Sequence, residues 1–332
     1  MAGELMAADM AEQPAVLDRL TSKAEEQARA VADVIPRPLA GIAFVARGSS
    51  DNAAVFGRYL AEQAAGRPAG LIAPSLYTRY GSRVDWRGYL LVALSQSGAT
   101  PEIIATCRKI RAQGARVLGI TNVADSELTR TCDLTLSTDA GPELAIPATK
   151  TVTGQMLIAL TMARGLGWKE VGTEQLLELP RAVAAVLDAE EPITEIAERW
   201  MHLNRLVVAG RGLGYAAALE CALKVKETTG ILAEGISIAD LLHGPITAVN
   251  AGAPTLLVDA GGPVAADLTQ LRNLLIARGV DVITLPPSSA LPEPLQVITA
   301  VVRGQQLART LALLREGDPD RPPTLTKITL TT

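Results

Sequence analysis

Short β-branched and apolar runs alternate along the chain with longer segments rich in Ala and Leu. This alternation is typical of α/β proteins, in which helices cover a parallel sheet. The pattern predicts strands at residues 42–46, 89–95, 116–121, 134–136, 206–209, 255–258, 281–285 and 296–302. It predicts helices at residues 52–63, 101–113 and 150–165, and it places Pro101 in the first turn of the second of these and Gly114 just after its end.

The first four and the last four predicted strands resemble two copies of one unit. Arg47-Gly48 recurs as Arg211-Gly212, 164 residues later. Two further pairs of segments match at offsets of 164 and 165, namely Leu94-Ser-Gln-Ser-Gly98 with Val258-Asp-Ala-Gly-Gly262, and Gln113-Gly114 with Arg278-Gly279. Any two doubly wound domains share strand–Gly–helix turns, which is the alternative explanation. We favour an internal repeat because the offset is nearly constant.

The repeat predicts how the chain is divided. We expect an N-terminal helical segment at 1–40, a first α/β domain at 41–175, a helical connector at 176–200, a second domain at 201–310 and a Pro-rich, extended C-terminal tail at 311–332. In open α/β sheets, ligands bind beyond the C-terminal ends of the strands. Because only the first copy has hydroxyl-rich turns there, we expect it to carry the binding site.

Composition excludes several classes of protein. The chain has 332 residues, 48% of them hydrophobic and 20% charged, which a disordered chain would not have. A net charge of −4 and an aromatic content of 3% argue against binding to nucleic acid. The N-terminus is acidic and no apolar stretch approaches the roughly 20 residues that a membrane span needs. We therefore expect a cytoplasmic protein with neither nucleic acid nor membrane as a partner.

Metal and disulfide sites are not expected. Cys107, Cys132 and Cys221 are far apart and odd in number, so they form neither a disulfide framework nor a CxxC pair. His202 and His243 are the two histidines of the chain, too few for a His-rich metal site.

Two turns after predicted strands could bind phosphate. Ser95, Ser97 and Thr100 place three hydroxyls at the start of a predicted helix, where unpaired N–H groups and the helix dipole favour an anion. An ordinary helix cap is the alternative, but a cap needs one hydroxyl, and three favour phosphate. Ser49 and Ser50 form a second such turn, which we expect beside the first at the edge of the same sheet.

Other candidates are ambiguous from the pattern alone. Lys224 and Glu227 share a helix face, so a carboxylate could move a proton while a lysine stabilises an oxyanion. A solvent-exposed ion pair is the more common meaning of this spacing. His243 precedes Gly-Pro and could either end a helix or assist sugar-ring opening. Glu143 and the Thr149-Lys150 turn could be caps, and Lys327 could be a solvated terminal lysine.

Taken together and in order, the motifs resemble those of the sugar isomerase (SIS) domain family. This family includes the isomerase half of glutamine–fructose-6-phosphate amidotransferase and stand-alone glucosamine-6-phosphate deaminases. The motifs are Arg47-Gly-Ser-Ser50, Ser95-Gln-Ser-Gly98, Ala140-Gly-Pro-Glu143, Ala148-Thr-Lys150, Leu223-Lys-Val-Lys-Glu227, Ala233-Glu234, Leu242-His-Gly-Pro245, Asp318-Pro-Asp320 and Pro323-Thr-Leu-Thr-Lys327.

The resemblance implies two tandem doubly wound SIS domains and a role for each motif residue. Ser50, Ser95, Gln96, Ser97 and Thr100 would hold the phosphate of a hexose 6-phosphate. Glu227 would move a proton between C1 and C2, with Lys224 close to the enediol oxygens. His243 would assist ring opening in the neighbouring subunit of a homodimer. Lys327 would approach the sugar carbonyl, where it can form a Schiff base, and the tail would cover the sugar.

The substrate and the direction of reaction follow less directly. Ser49, Ile146 and Ala148 would contact the substrate, but the 140–148 stretch departs from the amidotransferase pattern. No glutaminase domain precedes the first copy, so we expect release of ammonia, with neither metal nor redox cofactor. The reaction expected is glucosamine 6-phosphate plus water to fructose 6-phosphate plus ammonia. Alternatives are a related enzyme acting on galactosamine 6-phosphate or fructosamine 6-phosphate, and a non-catalytic sugar-phosphate sensor.

Overall fold

The computed structural model describes residues 1–285, 291–323 and 325–327. Over these residues the chain forms nine β-strands and twelve α-helices. The strands are β1 (Gly41–Val45), β2 (Ala69–Leu71), β3 (Tyr89–Leu94), β4 (Arg116–Thr121), β5 (Leu134–Ser137), β6 (Arg205–Gly210), β7 (Leu232–Ser237), β8 (Thr255–Leu257) and β9 (Val282–Thr284). The helices are α1 (Glu4–Ala11), α2 (Gln13–Val34), α3 (Ser49–Ala65), α4 (Ser75–Thr78), α5 (Pro101–Ala112), α6 (Lys150–Gly165), α7 (Thr173–Asp188), α8 (Glu191–Trp200), α9 (Gly214–Thr229), α10 (Ile238–Leu242), α11 (Ala265–Ala277) and α12 (Glu293–Leu314).

One compact unit contains the first sheet. This five-stranded unit comprises Val16–Pro142 and Thr151–Gly172. Its strands are all parallel, in the order β2-β1-β3-β4-β5, and Ile42 pairs with Leu90 while Leu91 pairs with Val117. The apolar run of β3 is almost wholly buried, as expected for a central strand of a sheet with helices on both faces.

A second compact unit contains the other sheet. This four-stranded unit comprises Met1–Ala15, Glu143–Lys150 and the described residues of Thr173–Lys327. Its strands are again parallel, in the order β7-β6-β8-β9. Apolar side chains from β6, β8, α10 and α11 form a core on one face of the sheet, among them Ala209, Leu257 and Leu271.

The two sheets have the same connectivity, which confirms the predicted α/β class and the repeat. The order β7-β6-β8-β9 reproduces β2-β1-β3-β4 strand for strand. In the first sheet β2 is added on one side of β1 and β3 on the other, so the strand order reverses between β1 and β3, and the turns after these two strands lie at the switch point where such sheets bind ligands. Both hydroxyl-rich turns predicted from the sequence follow these strands.

One predicted strand is wrong. Residues 296–302 do not form a strand but lie inside helix α12. The segment is rich in Val and Ile, which favour strands, but α12 is buried around most of its circumference over these residues. A helix buried on all sides shows no apolar/polar period, so a short window of its sequence cannot be told from a buried strand.

Two strands were not predicted. β2 and β7 each lie at one edge of their sheet. β7 contains Glu234 and Gly235, and its exposure varies along the strand instead of forming an apolar run. Edge strands are partly solvated, so their sequences lack the continuous apolar run by which central strands are recognised.

Helices also form in the N-terminal segment and in the sequence between the two sheets. Two helices, α1 and α2, occupy most of the predicted N-terminal helical segment, and α7 and α8 occupy the predicted connector. Helix α12 ends at Leu314, and the described part of the tail beyond it contains neither helix nor strand. Thr324 and residues 328–332 of the predicted tail lie outside the described residues. Within the described parts of the chain, no helix combines the length and apolarity needed to span a membrane.

Candidate functional site

The loop after β3 presents its hydroxyls at the start of α5. Ser95 is buried, and its Oγ lies 3.1 Å from Thr100 Oγ1. Thr100 is the N-cap residue of α5 in extended conformation, and its side chain makes no capping hydrogen bond within the described structure. Ser97 Oγ accepts a hydrogen bond of 3.3 Å from the amide of Ala99. The hydroxyls therefore lie beside the positive end of a helix dipole without serving as conventional caps.

The backbone of this loop is held to the neighbouring strand β4. The Gln96 carbonyl oxygen accepts from the amide of Asn122 at 3.0 Å and from Thr121 Oγ1 at 3.2 Å. Gly98 has a φ of +60°, and a Cβ built there would lie 2.2 Å from Ser126 Oγ, so a larger residue does not fit. Such a fixed loop is preorganised for a ligand, because its donors need not be ordered on binding.

An ion pair links the turn after β1 to the helix that follows β3. Arg47 donates to Glu102 Oε2 through Nη2 at 2.8 Å and through Nε at 3.1 Å. Ser49 begins α3, and Ser50 is buried in its first turn. The two turns are therefore neighbours, as predicted. Burial raises the pKa of the Asp51 carboxyl, and the positive charge of Arg47 opposes that shift.

Helix α9 in the four-stranded unit carries a buried lysine between two carboxylates. Lys224 is 1% exposed; its Nζ donates a hydrogen bond to Glu227 Oε2 and lies 3.6 Å from Glu220 Oε1. Glu220 is equally buried, whereas the Glu227 side chain is 23% exposed. The alternative of a solvent-exposed surface pair is therefore wrong. Of the three groups, Glu227 is the one that solvent and a ligand can reach.

The carboxylates keep Lys224 charged. Burial by itself lowers the pKa of Lys224, but the negative charges of Glu220, Glu227 and Glu143 outweigh burial and raise the pKa above its ordinary value. Lys224 is therefore a fixed ammonium at neutral pH. A buried, permanently charged donor suits the stabilisation of an oxygen on which negative charge develops during a reaction.

Glu143, which the sequence suggested only as a cap, lies beside this cluster and contacts the predicted tail lysine. Its buried carboxylate accepts hydrogen bonds from the Thr149 amide at 2.7 Å and from Thr149 Oγ1 at 3.3 Å, so it does act as a cap at the start of α6. Lys327 Nζ lies 3.5 Å from Glu143 Oε2 and donates to the carbonyl oxygen of Ala145. Lys327 is thus not a freely solvated terminal lysine.

The segment that carries Ile146 and Ala148 is held by a second buried ion pair. Lys150 Nζ, fully buried, lies 3.0 Å from Asp9 Oδ1 and 2.7 Å from Glu12 Oε2. Ile146 and Ala148 are half-buried. These contacts give the Thr149-Lys150 turn a structural role in the four-stranded unit.

His243 lies at the C-terminal end of α10 and is exposed, with Gly244 after it at a φ of +126°. It therefore ends a short helix, and its exposed position leaves it accessible to a neighbouring molecule. Its predicted action in a partner subunit stays a prediction. Glu143 and Glu220 were missed as members of the cluster: Glu220 lies four residues before Lys224 on the same helix face, whereas Glu143 carries no local signal.

The cysteines are structural. Cys107, Cys132 and Cys221 are free thiols, as predicted. Burial raises the pKa of all three, that of Cys132 to about 12, so they are protonated at neutral pH and poor nucleophiles.

The chain shares sequence and fold with sugar-phosphate enzymes. It is 33% identical over 345 residues to the isomerizing glutamine–fructose-6-phosphate aminotransferase of Thermococcus kodakarensis, covering 97% of this chain and 57% of that protein. The chain thus spans about half the length of the curated relatives that it matches.

Solved structures agree in fold. A candidate phosphosugar isomerase from Silicibacter pomeroyi DSS-3 superimposes with a TM-score of 0.86 at 30% identity, over 96% of this chain and 100% of that one. Glucosamine-6-phosphate deaminase from Thermotoga maritima superimposes with a TM-score of 0.81 at 22% identity, over 99% and 100%, which shows the shared fold.

The SIS domain model matches twice, at residues 40–164 and 202–291, which together make up more than half of the chain. One match falls on each copy of the predicted repeat, and the two parallel sheets have the architecture that the resemblance implied. The chain belongs to the SIS domain family.

Proposed function

We propose that this chain isomerises and deaminates an amino-sugar phosphate, converting glucosamine 6-phosphate and water to fructose 6-phosphate and ammonia. The observation that carries the proposal is the arrangement on α9, where the partly exposed carboxylate of Glu227 is hydrogen-bonded to the buried ammonium of Lys224. A proton carrier that a ligand can reach, next to a permanent positive charge, is what an aldose–ketose interconversion requires.

The chemistry assigns a step to each group. Glu227 takes the proton from C2 of the open-chain sugar, and the electron pair forms a C1–C2 double bond while charge develops on the C1 oxygen. Lys224 stabilises that oxygen. Glu227 then returns the proton to C1 while the nitrogen lone pair forms a double bond to C2, and a proton passes from that nitrogen to the C1 oxygen, which leaves a hydroxyl at C1 and an imine at C2. Water adds to the imine carbon and ammonia departs, giving the ketose. One carboxylate thus serves as base and then as acid.

The phosphate of the substrate is assigned to the loop after β3. Ser95, Ser97 and Thr100 provide hydroxyls at the start of α5, and Ser50 provides another in the adjacent turn. Gln96 is also assigned to the phosphate, because it lies within the motif Ser95-Gln-Ser-Gly98. A helix N-terminus with several hydroxyls favours a dianionic phosphate, because both the dipole and the donors attract negative charge.

The remaining residues are assigned by the family motif. Lys327 is assigned to the sugar carbonyl, His243 to ring opening in the partner of a homodimer, and Ser49, Ile146 and Ala148 to contacts with the sugar. The assignment of Lys327 is supported by its contact with Glu143, whose negative charge also acts on Lys224. The deaminase direction is compatible with the fold, because the Thermotoga maritima deaminase has this architecture over its full length. We retain a cytoplasmic location as a prediction.

The test is a product assay with the purified protein. Glucosamine 6-phosphate, galactosamine 6-phosphate and fructosamine 6-phosphate are supplied separately, and ammonia and hexose 6-phosphate are measured. Equimolar ammonia and fructose 6-phosphate from glucosamine 6-phosphate support the proposal. If only one of the other two substrates is turned over, the proposed activity is reassigned to that substrate. If a sugar phosphate binds but none of the three is turned over, the protein is reassigned as a sugar-phosphate sensor.

Glu227→Gln tests the assigned base. This variant keeps the size and hydrogen-bonding capacity of the side chain but cannot carry the proton, so we expect kcat to fall by about a hundredfold or more with phosphate binding retained. Glu198→Gln is the matched control, since Glu198 is exposed on α8. Near-normal kcat for Glu227→Gln would remove Glu227 from the mechanism.

A further inference from the structure

Asp320 in the tail caps a helix at the other end of the chain. It is 4% exposed, and its carboxylate accepts hydrogen bonds from the amides of Leu5 at 3.0 Å and Met6 at 2.7 Å. Both amides belong to the first turn of α1, where a helix leaves its N–H groups without intrahelical partners. The carboxylate also complements the positive end of the helix dipole. The tail is therefore attached to α1 seven residues before Lys327.

Asp9 in α1 and Asp320 in the tail both accept hydrogen bonds from backbone amides of the segment 143–146. The amides of Leu144 and Ala145 each donate to Asp9 Oδ2 at 2.8 Å, and Asp9 belongs to α1. The amide of Ile146 donates to the backbone carbonyl oxygen of Asp320 at 2.9 Å. Three successive amides of the segment are thus bound to Asp9 and Asp320, which fixes the direction of the carbonyl groups between them.

Lys327 contacts the segment 143–146 that these hydrogen bonds hold in place. Its Nζ donates to the carbonyl oxygen of Ala145 and lies 3.5 Å from Glu143 Oε2. Asp320 therefore acts at both ends of this contact: its carboxylate anchors the tail that carries the lysine, and its carbonyl oxygen anchors the segment that receives it. A lysine has a long and flexible side chain, so its placement depends on where its backbone and its acceptors are held.

We propose that Asp320 is a positioning residue for Lys327, acting through α1 and segment 143–146 without touching the substrate. The proposal rests on the proposed function in one respect, that Lys327 acts on the sugar carbonyl. Displacement of a reacting group by about 1 Å can cost up to about a hundredfold in rate. Positioning by Asp320 therefore affects the rate of reaction more than the binding of the phosphate.

The kinetic test uses Asp320→Asn, which keeps one acceptor oxygen and the backbone carbonyl. We expect kcat to fall by about tenfold, with KM and inhibition by inorganic phosphate changed less than about twofold. Asp318→Asn is the matched control, because Asp318 is exposed in the same tail and its amide variant can still accept the 3.0 Å hydrogen bond from the amide of Asp320. Equal effects of the two variants, or a rise in KM alone, would overturn the proposal.

A second comparison separates positioning from loss of stability. If Asp320 acts through Lys327, adding Asp320→Asn to Lys327→Ala causes no further fall in kcat, whereas independent effects multiply. Thermal unfolding of all variants shows whether the fold is intact. A tenfold further fall in the double variant would show that Asp320 acts by another route.

The third readout does not need turnover. An amine-acylating reagent followed by peptide mass spectrometry gives the modification rate of Lys327 relative to Lys226, which is exposed on α9. We expect Asp320→Asn, but not Asp318→Asn, to raise the Lys327 rate by about twofold or more, as local opening frees the lysine from its acceptors. An unchanged ratio overturns the positioning role. If the wild type turns over no substrate but the ratio rises, the proposed function fails and the positioning by Asp320 stands.

Discussion

Replacing Lys224 with methionine tests whether the cluster on α9 is a buried charge network that also serves catalysis. Methionine matches the length of the lysine stem but removes the ammonium that faces Glu220 and Glu227. Glu220 and Lys224 are each 1% exposed, so solvent cannot replace the lost charge. The substitution removes the ammonium from beside a buried carboxylate, which is the costly way of breaking a buried pair.

The expected magnitude follows from that burial. Removing one partner of a buried ion pair costs about 3–5 kcal/mol in the free energy of unfolding. Adding Glu220→Gln removes the charge that was left behind, and we expect it to recover about 1–3 kcal/mol. If Lys224 is the donor to the reacting oxygen, neither Lys224→Met nor the double variant has normal activity; loss of such a donor costs about a hundredfold to a thousandfold in kcat.

The assay pairs two measurements on the same samples. Urea unfolding followed by circular dichroism at neutral pH gives the free energy of unfolding of the wild type, Lys224→Met, Glu220→Gln and the double variant. Turnover of glucosamine 6-phosphate gives kcat for each.

Three results would refute the reasoning, two on stability and one on catalysis. A Lys224→Met variant as stable as the wild type would show that Glu220 does not depend on this counter-ion. A double variant less stable than Lys224→Met would show that the two side chains do not compensate each other. Recovery of activity together with stability in the double variant would remove Lys224 from the chemistry and leave it a structural role.

Three further predictions concern the loop, the charge of Lys224 and the assembly. If Ser97 donates to the substrate phosphate as proposed, Ser97→Ala removes a donor to a charged group, so we expect inorganic phosphate to inhibit about tenfold less strongly, measured as Ki with the fold intact. An unchanged Ki would exclude Ser97 from the phosphate site. The pKa of Lys224 is raised in the folded chain, so the ion pairs of Lys224 stabilise the fold at neutral pH, and this stabilisation is lost as the pH rises above the ordinary value of 10.5. We therefore expect the difference in the free energy of unfolding between the wild type and Lys224→Met to shrink above that pH. If His243 acts in the partner subunit, co-expression of His243→Ala with Glu227→Gln restores about a quarter of the wild-type activity, since half of the molecules are mixed dimers with one intact site; no recovery in a verified mixed dimer would place His243 in its own subunit.

Local sequence pattern was enough to predict the class of fold and the position of the hydroxyl-rich loop after β3. Central parallel strands are buried on both faces and are therefore continuous apolar runs, and the strand-to-helix turns lie at one edge of each sheet. The hydroxyls of Ser95, Ser97 and Thr100 are close together in the chain, so their meeting at the start of α5 needs no knowledge of the rest of the molecule. The repeat followed from the spacing of such turns.

Whether the pair of Lys224 and Glu227 is buried or exposed could be learned only from the tertiary structure. The same spacing occurs on exposed helix faces, whereas the packing of α9 in the folded chain leaves Lys224 and Glu220 each 1% exposed. Helix α12 lies against α9, where Thr228 Oγ1 donates to the carbonyl oxygen of Ala308 at 3.0 Å. That same helix contains the segment mistaken for a strand, because a helix buried on most sides loses the periodic pattern that identifies it.

Contacts between distant segments were beyond prediction for the same physical reason. Glu143 reaches Lys327 across 184 positions of sequence, and Asp320 caps a helix more than 300 residues away. A carboxylate looks the same in sequence whether it caps a helix or anchors a distant tail. Local pattern determines which elements form, but only their packing brings these groups within hydrogen-bonding distance of one another and removes them from water.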